Sequence, residues 1–277
     1  MRSILVLIAL EILVLGCCSA TDSVEGDSSI VSQVTITVVY DNVAFAETFK
    51  PDWGFACFIE GLEKSILFDA GAQADVLLHN MKLAHINPDR IQCLVISHDH
   101  GDHTQGLTGI TGWENLKTAF LPKELTVPFT SLVYQPGLKR KVASLPVGLF
   151  PRVFLTGALG KAIIEQSLII DTPQGLVLIT GCSHPGIISI LKKAKEILNK
   201  DIYLVLGGFH LLDHTAEQIK SIIDSFKSMG VRYCGASHCT GDKAMAAFRE
   251  AYGDHFVELG AGRAITLDRD GLLLFGH

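Results

Sequence analysis

The sequence predicts an α/β fold, and three observations carry the prediction. Short β-branched runs alternate with stretches of helical periodicity, hairpin-like pairs come early, and strand–helix units come late. Five apolar runs stop abruptly in polar turns, as strands do when their C-terminal ends carry a site. The chain has 277 residues, 48% of them hydrophobic and 19% charged, which suits one large α/β domain with a sizeable core.

Taken in order, residues 33–40 alternate and are β-branched, as a strand should be. Residues 55–60 and 65–69 make two more strands around the turn Gly61-Leu62-Glu63-Lys64. Residues 74–83 form a helix with Val76, Leu77 and Met81 on its apolar side, ending before Asn87-Pro88. The run 91–96 is the next strand, and 104–110 a short helix or turn. Residues 112–162 are rich in Pro and Gly, with short strands at 118–121 and 152–155. They show no clear period and are expected to loop over the mouth of a site.

Residues 167–171 and 176–180 form a hairpin about Thr172-Pro173-Gln174-Gly175. Residues 187–198 are a strongly amphipathic helix. A strand at 202–206, a helix at 215–229, a strand at 231–236 and a helix at 243–252 follow. A terminal hairpin, 264–267 with 272–275, closes the chain around Asp268-Arg269-Asp270-Gly271.

The first twenty residues differ in kind. Arg2 precedes an apolar run, 4–15, and then Gly16-Cys17-Cys18-Ser19-Ala20. This charge–apolar–small order is that of an export signal, too short for a comfortable membrane span. Val14-Leu15-Gly16-Cys17 resembles a bacterial lipoprotein box, in which Cys17 would be lipidated and become N-terminal. A plain secretory signal cleaved near Ala20 is the alternative. Residues 1–20 are therefore expected to be a signal peptide, 21–32 a flexible tether, and 33–277 the domain. The expected location is exported: a membrane-anchored lipoprotein, or a periplasmic or extracellular protein. The formal net charge of −6 provides no basic footprint, so no nucleic-acid partner is expected.

Seven cysteines without regular spacing do not make a disulfide framework. Cys17 and Cys18 belong to the export segment, and Cys57 and Cys93 sit inside strands as small buried residues. Cys182 and Cys239 adjoin His-bearing turns and are candidates to line a site.

The chemistry concentrates in Ser97-His98-Asp99-His100-Gly101-Asp102-His103, which ends an apolar strand. In extended chain His98 and His100 project to one side, while Asp102 and His103 lie where the chain turns toward the next helix. One metal can take the first pair and a second the other. Four further strand-end turns carry polar groups: Asp69-Ala70-Gly71, Gly181-Cys182-Ser183-His184-Pro185-Gly186, Gly207-Gly208-Phe209-His210-Leu211 and Ser237-His238-Cys239-Thr240-Gly241. Lys123, Lys139, Arg140, Lys141 and Arg152 read as a solvated basic face, with a rim for an anionic substrate as the alternative.

The cluster His98, His100, Asp102 and His103 resembles the signature of the metallo-β-lactamase superfamily, and Asp69-Ala70-Gly71 resembles its preceding aspartate motif. Trp53-Gly54-Phe55 and the His184, His210 and His238 turns resemble a narrower branch, the 7,8-dihydropterin-6-yl-methyl-4-(β-D-ribofuranosyl)aminobenzene 5′-phosphate synthases. The likeness spans the domain from about Val34 onward. It implies a four-layer αβ/βα sandwich with metals at one sheet edge. Two departures stand out: Gln105 replaces a usual Gly, and no His–Pro–Gly motif precedes the strand near Ser167. Where a bridging Asp is usual, this chain has Gly181-Cys182-Ser183-His184.

On this resemblance the expected metal ligands are His98, His100, Asp102, His103, His184 and His238. Asp69 and Cys182 are expected behind them, and Asp102 and His210 are the catalytic candidates, with His210 alternatively a ligand. Imidazoles with a carboxylate suit one or two Zn²⁺ ions, with Mn²⁺ or Fe²⁺ as alternatives. The dioxygen-reducing branch of the superfamily typically has Glu where His100 stands, which favours hydrolysis or transfer. The expected activity is that of a hydrolase or transferase acting on a phosphorylated or otherwise anionic small molecule. A metal-bound hydroxide or a metal-assisted leaving group would carry it. The alternatives are the branch's C–N condensation and a non-catalytic, tethered metal- or ligand-binding lipoprotein.

Overall fold

In a computed structural model the described residues are 33–110, 113–123, 125 and 137–276. The expected signal and tether lie outside them. Strand β1 (Gln33–Tyr40) pairs antiparallel with β2 (Ala56–Glu60), and β2 with β3 (Ile66–Phe68). Helix α1 (Ala74–Leu83) follows, then β4 (Cys93–Val95), which runs parallel to β3. A one-turn helix, α2 (Gly101–Thr104), and a 3-10 turn lead to β5 (Thr118–Leu121) and the edge strand β6 (Lys139–Val142). Strands β13 (Arg263–Asp268) and β14 (Leu272–Gly276) return to the other side of β1, giving an eight-stranded sheet.

The second sheet has six strands. It begins with β7 (Val147–Phe150) and β8 (Val153–Leu155), then the hairpin β9 (Leu168–Thr172) and β10 (Gly175–Thr180). Helix α3 (Ile187–Leu198) crosses to β11 (Ile202–Gly208), and α4 (Ala216–Ser228) crosses to β12 (Tyr233–Ser237). Both crossovers join parallel neighbours. Helix α5 (Asp242–Tyr252) leads back to the first sheet. Thr215 starts α4 with a full capping box, its hydroxyl taking the Gln218 N–H while the Gln218 side chain accepts from the Thr215 N–H.

Alternation along the strands explains the layers. Ile36 and Val38 of β1, and Val177 and Ile179 of β10, meet between the sheets. Leu67 and Leu94 face outward and pack on Leu77 and Met81 of α1. Leu176 and Leu178 face the opposite way and pack on Ile190 and Leu191 of α3. The result is the expected αβ/βα sandwich. The register shift between Val38 and Tyr40 turns Tyr40 to the outer side, where its hydroxyl donates to Asp52.

The region expected to be loops instead contributes β6 and β7 to the sheet edges as well as β5 and β8. Every residue of β6 is exposed, and its Lys139-Arg140-Lys141 run charges the edge against further pairing. Among the described residues no helix is long and apolar enough to cross a membrane.

Candidate metal centre

Five strands of the two sheets end at one edge. β3 delivers Asp69, β4 delivers the His98 loop, β10 delivers Cys182 and His184, β11 delivers His210, and β12 delivers His238 and Cys239. Four residues of these loops have left-handed backbone: Asp69 (φ 56°), Ser183 (φ 66°), His210 (φ 54°) and His238 (φ 50°). Such conformations are unfavourable for residues with side chains and persist where packing over-determines them. Gly106 allows the His98 loop to close, since a Cβ there would overlap the Ala70 carbonyl oxygen.

Four of the rings are fixed from behind. Asp69 is fully buried and accepts from the Ser97 N–H (2.7 Å), the Ser97 hydroxyl (2.7 Å) and His103 Nδ1 (2.7 Å). With its one proton given to Asp69, the Ser97 hydroxyl must accept from His98 Nδ1 at 2.8 Å. His184 Nδ1 donates to Glu165 at 3.0 Å, and His238 Nδ1 donates to Asn42 Oδ1 at 3.0 Å. His98, His103, His184 and His238 therefore all turn an Nε2 lone pair away from these anchors.

Those lone pairs converge into two sets. His98, His100 and His184 place donor atoms within 4.8 Å of one another, as do Asp102, His103, Cys182 and His238. His98 Nε2 stands 3.1 Å from His100 Nδ1, and His103 Nε2 stands 3.2 Å from both His238 Nε2 and Cys182 Sγ. Asp102 Oδ2 is 3.3 Å from His238 Nε2. Two nitrogens on one tetrahedral zinc would be about 3.3 Å apart, given Zn–N bonds of about 2.0–2.1 Å. Facing lone pairs at such distances repel unless a proton or a cation lies between them. The residues present thus fit divalent cations.

The electrostatics agree. Burial, then the neighbouring imidazoles, push His98 well below the ordinary histidine range, so it is a neutral donor. Burial also lowers His103, but contact with the Asp69 carboxylate outweighs it and raises His103 to about 9. Burial pushes Asp69 up too. Its three donors keep the carboxylate ionised, so the pair's proton rests on His103. Burial raises Asp102, yet in the metal-free chain a proton held between the facing Nε2 atoms of His238 and His103, beside its carboxylate, holds it below the usual carboxylate range.

Every expected site residue gathers at this edge. His210 packs its ring 4.5 Å from that of His184 but groups with Cys182 and Cys239 rather than with either donor set. Cys182 places its sulfur among the donor atoms, not behind them. Sequence reasoning did not single out Glu165 or Asn42. Glu165 is buried and accepts four bonds, from the N–H groups of Cys182 (3.0 Å), Ser183 (2.8 Å) and His184 (2.9 Å) and from the His184 ring. Burial raises it, but these donors more than compensate and hold it below the usual glutamate range. Its presence where the family's third histidine motif was sought was the available signal.

A cavity of about 480 Å³ opens beside His238. Val43, Trp53 and Leu212 line it and are 50%, 49% and 54% exposed, and the Trp53 ring lies 5.0 Å from that of His238.

The metallo-β-lactamase superfamily profile matches residues 54–215, more than half of the chain. The chain belongs to the metallo-β-lactamase superfamily. Within it, the chain is 33% identical to the Methanocaldococcus jannaschii 7,8-dihydropterin-6-methyl-4-(β-D-ribofuranosyl)-aminobenzene-5′-phosphate synthase, over 83% of this chain and 95% of that one. Tm1679, a metal-dependent hydrolase of the β-lactamase superfamily, superposes with a TM-score of 0.71 at 28% identity, covering 83% of this chain and 98% of that one. YhfI from Bacillus subtilis shares the metallo-β-lactamase fold, with a TM-score of 0.62 at 13% identity, covering 84% and 99%. The clustered imidazole, carboxylate and thiol donors make this superfamily member a metal-dependent enzyme, with the hydrolase or transferase chemistry of its fold.

Proposed function

We propose that His98, His100 and His184 hold one zinc ion and that Asp102, His103, His238 and Cys182 hold a second, with Mn²⁺ or Fe²⁺ as substitutes. The observation that carries this reading is the pair of facing Nε2 atoms of His103 and His238, 3.2 Å apart, each with its other nitrogen already committed as a donor. Cations so held acidify water and polarise a phosphoryl or carbonyl oxygen. The chain's own residues do the rest. Asp69, Ser97, Glu165 and Asn42 fix the tautomers and ring planes. Asp102 orients the second set, and His210, exposed at the rim, contacts the substrate or passes a proton.

The substrate is a phosphorylated or otherwise anionic small molecule, its anionic group at the metals. Val43, Trp53 and Leu212, on the apolar side of a cavity that Asp242, Arg249 and Glu258 also line, support a flat ring elsewhere in the substrate. Screening zinc- and manganese-loaded protein against aryl and alkyl phosphodiesters, diphosphates, thioesters and lactones tests this. Hydrolysis that needs metal and prefers aryl esters is the expected result, and no turnover of any class would reject it.

The second reading is the C–N condensation of the branch this chain resembles, supported by the synthase name of the 33% identical relative. It suits a cytoplasmic protein. The order Arg2, apolar run, Gly16-Cys17 supports export instead, with residues 1–16 removed and Cys17 lipidated. Intact mass of the membrane fraction discriminates: a lipidated Cys17 terminus supports export, and an intact Met1 terminus in the cytosol supports the condensation.

A further inference from the structure

One donor cluster has no part in the two sets beyond a shared thiol. Cys182 Sγ, a ring nitrogen of His210 and Cys239 Sγ lie within 4.8 Å of one another. The thiols are buried, and His210 closes the group on the solvent side. The arrangement is built by backbone. The three residues follow β10, β11 and β12, neighbouring strands in parallel register. Gly208 leaves the space: a Cβ there would stand 2.6 Å from Cys239 Sγ and 3.3 Å from Cys182 Cα. The Cys239 thiol has a weak contact to the Cys182 carbonyl oxygen at 3.4 Å.

Two thiolates on one tetrahedral zinc stand about 3.8 Å apart, and a thiolate and an imidazole about 3.5 Å, from bond lengths of about 2.3 and 2.0 Å. Donor atoms that all lie within 4.8 Å of one another are compatible with that geometry. Two sulfurs with one imidazole make a softer donor set than the histidines and aspartate of the other groups, and so select thiophilic ions.

We propose that Cys182, His210 and Cys239 form a third cation site, for excess zinc or cadmium, with the Cys182 thiolate bridging it to the Asp102–His103–His238 set. The Cys182 proton leaves with the cation of the Asp102–His103–His238 set, so one thiol proton, that of Cys239, leaves as the third cation enters; the imidazole contributes its lone pair, and no group is oxidised or reduced. An ion there would occupy His210, so filling the site would oppose the proton-carrying role given to that residue. The proposal rests on the two-metal reading only through the shared Cys182.

Cadmium(II) is the probe. The metal-free full chain, kept under a phosphine reductant, is titrated with cadmium by equilibrium dialysis and elemental analysis. Thiolate-to-cadmium absorption is followed in parallel. Wild type should take one equivalent more than Cys239→Ser and than His210→Ala, and the Cys239→Ser variant should lose part of the thiolate absorption. His210 is exposed, so its variant tests the site without a buried substitution. If His100→Ala removes an ion while the Cys239-dependent equivalent remains, the third site is supported as a separate one. Identical stoichiometry and absorption in wild type and both variants would overturn the proposal.

Discussion

Glu165→Gln is the most informative single substitution. It keeps the shape and one carbonyl oxygen, which can still accept from the Cys182 and Ser183 N–H groups as Oε1 does now. The amide NH₂ must then face the His184 N–H and the His184 Nδ1–H, both now accepted by Oε2. Two charge-assisted bonds in a fully buried place are lost, at about 1.5 kcal/mol or more each, so about 3 kcal/mol in all. That leaves a domain of ordinary stability folded, with a melting temperature lower by about 6–12 °C. The second consequence is chemical. The His184 ring no longer has an acceptor for Nδ1–H, and the other tautomer places a proton where Nε2 should donate to the metal. Affinity of the His98–His100–His184 set should fall about 10–100-fold. Competition against a chromophoric chelator measures the affinity, and thermal melts of the metal-free forms measure the stability. The wild-type advantage should be present above about pH 4.3 and fade as pH falls through the lowered folded value. A Glu165→Gln variant with wild-type metal affinity would refute the reasoning.

His103 gives the opposite pH dependence in the metal-free chain: raised to about 9, it stabilises fully below about pH 6.5, and the contribution is lost as pH rises through about 9. Metal-free wild type should therefore lose more stability to denaturant across that window than His103→Gln, and zinc binding near pH 7 should release about two protons in calorimetry, one from His103 and one from the Cys182 thiol. Asp102→Asn should abolish turnover and loosen the second ion. His210→Ala should slow the best substrate by up to about 10²–10⁴-fold with both ions retained, as measured by kinetics and metal content together. Gly106→Ala should cost about 1–3 kcal/mol or more, because its Cβ meets backbone, and chemical denaturation checks it.

The elements legible in the sequence were those whose pattern is local. The apolar stripe of 187–198 gives both ends of α3, where Gly186 precedes the first turn and Asn199 takes a left-handed cap. Strand ends carrying His98, His184, His210 and His238 were legible because apolar runs stop there. The edge strands β6 and β7 were not: β6 is exposed throughout, and β7 is exposed at Val147 and Gly148 and half-buried at the adjacent Leu149 and Phe150, so neither alternates. Asn42 acts on a ring 196 residues away with nothing in its neighbourhood to mark it, and Glu165, 19 residues from its ring, is marked only by standing where a histidine motif is usual. The inward position of the Cys182 sulfur likewise depends on strand-end loops from two packed sheets converging, which spacing alone does not state.

Two separate donor sets at this edge predict two bound divalent cations. Elemental analysis of zinc-reconstituted protein at limiting free zinc, with wild type beside His100→Ala and His238→Ala, tests it most directly. Two equivalents in wild type and about one in each variant is the predicted result. Well-folded wild type that takes up no zinc, or variants that still bind two equivalents, would contradict it.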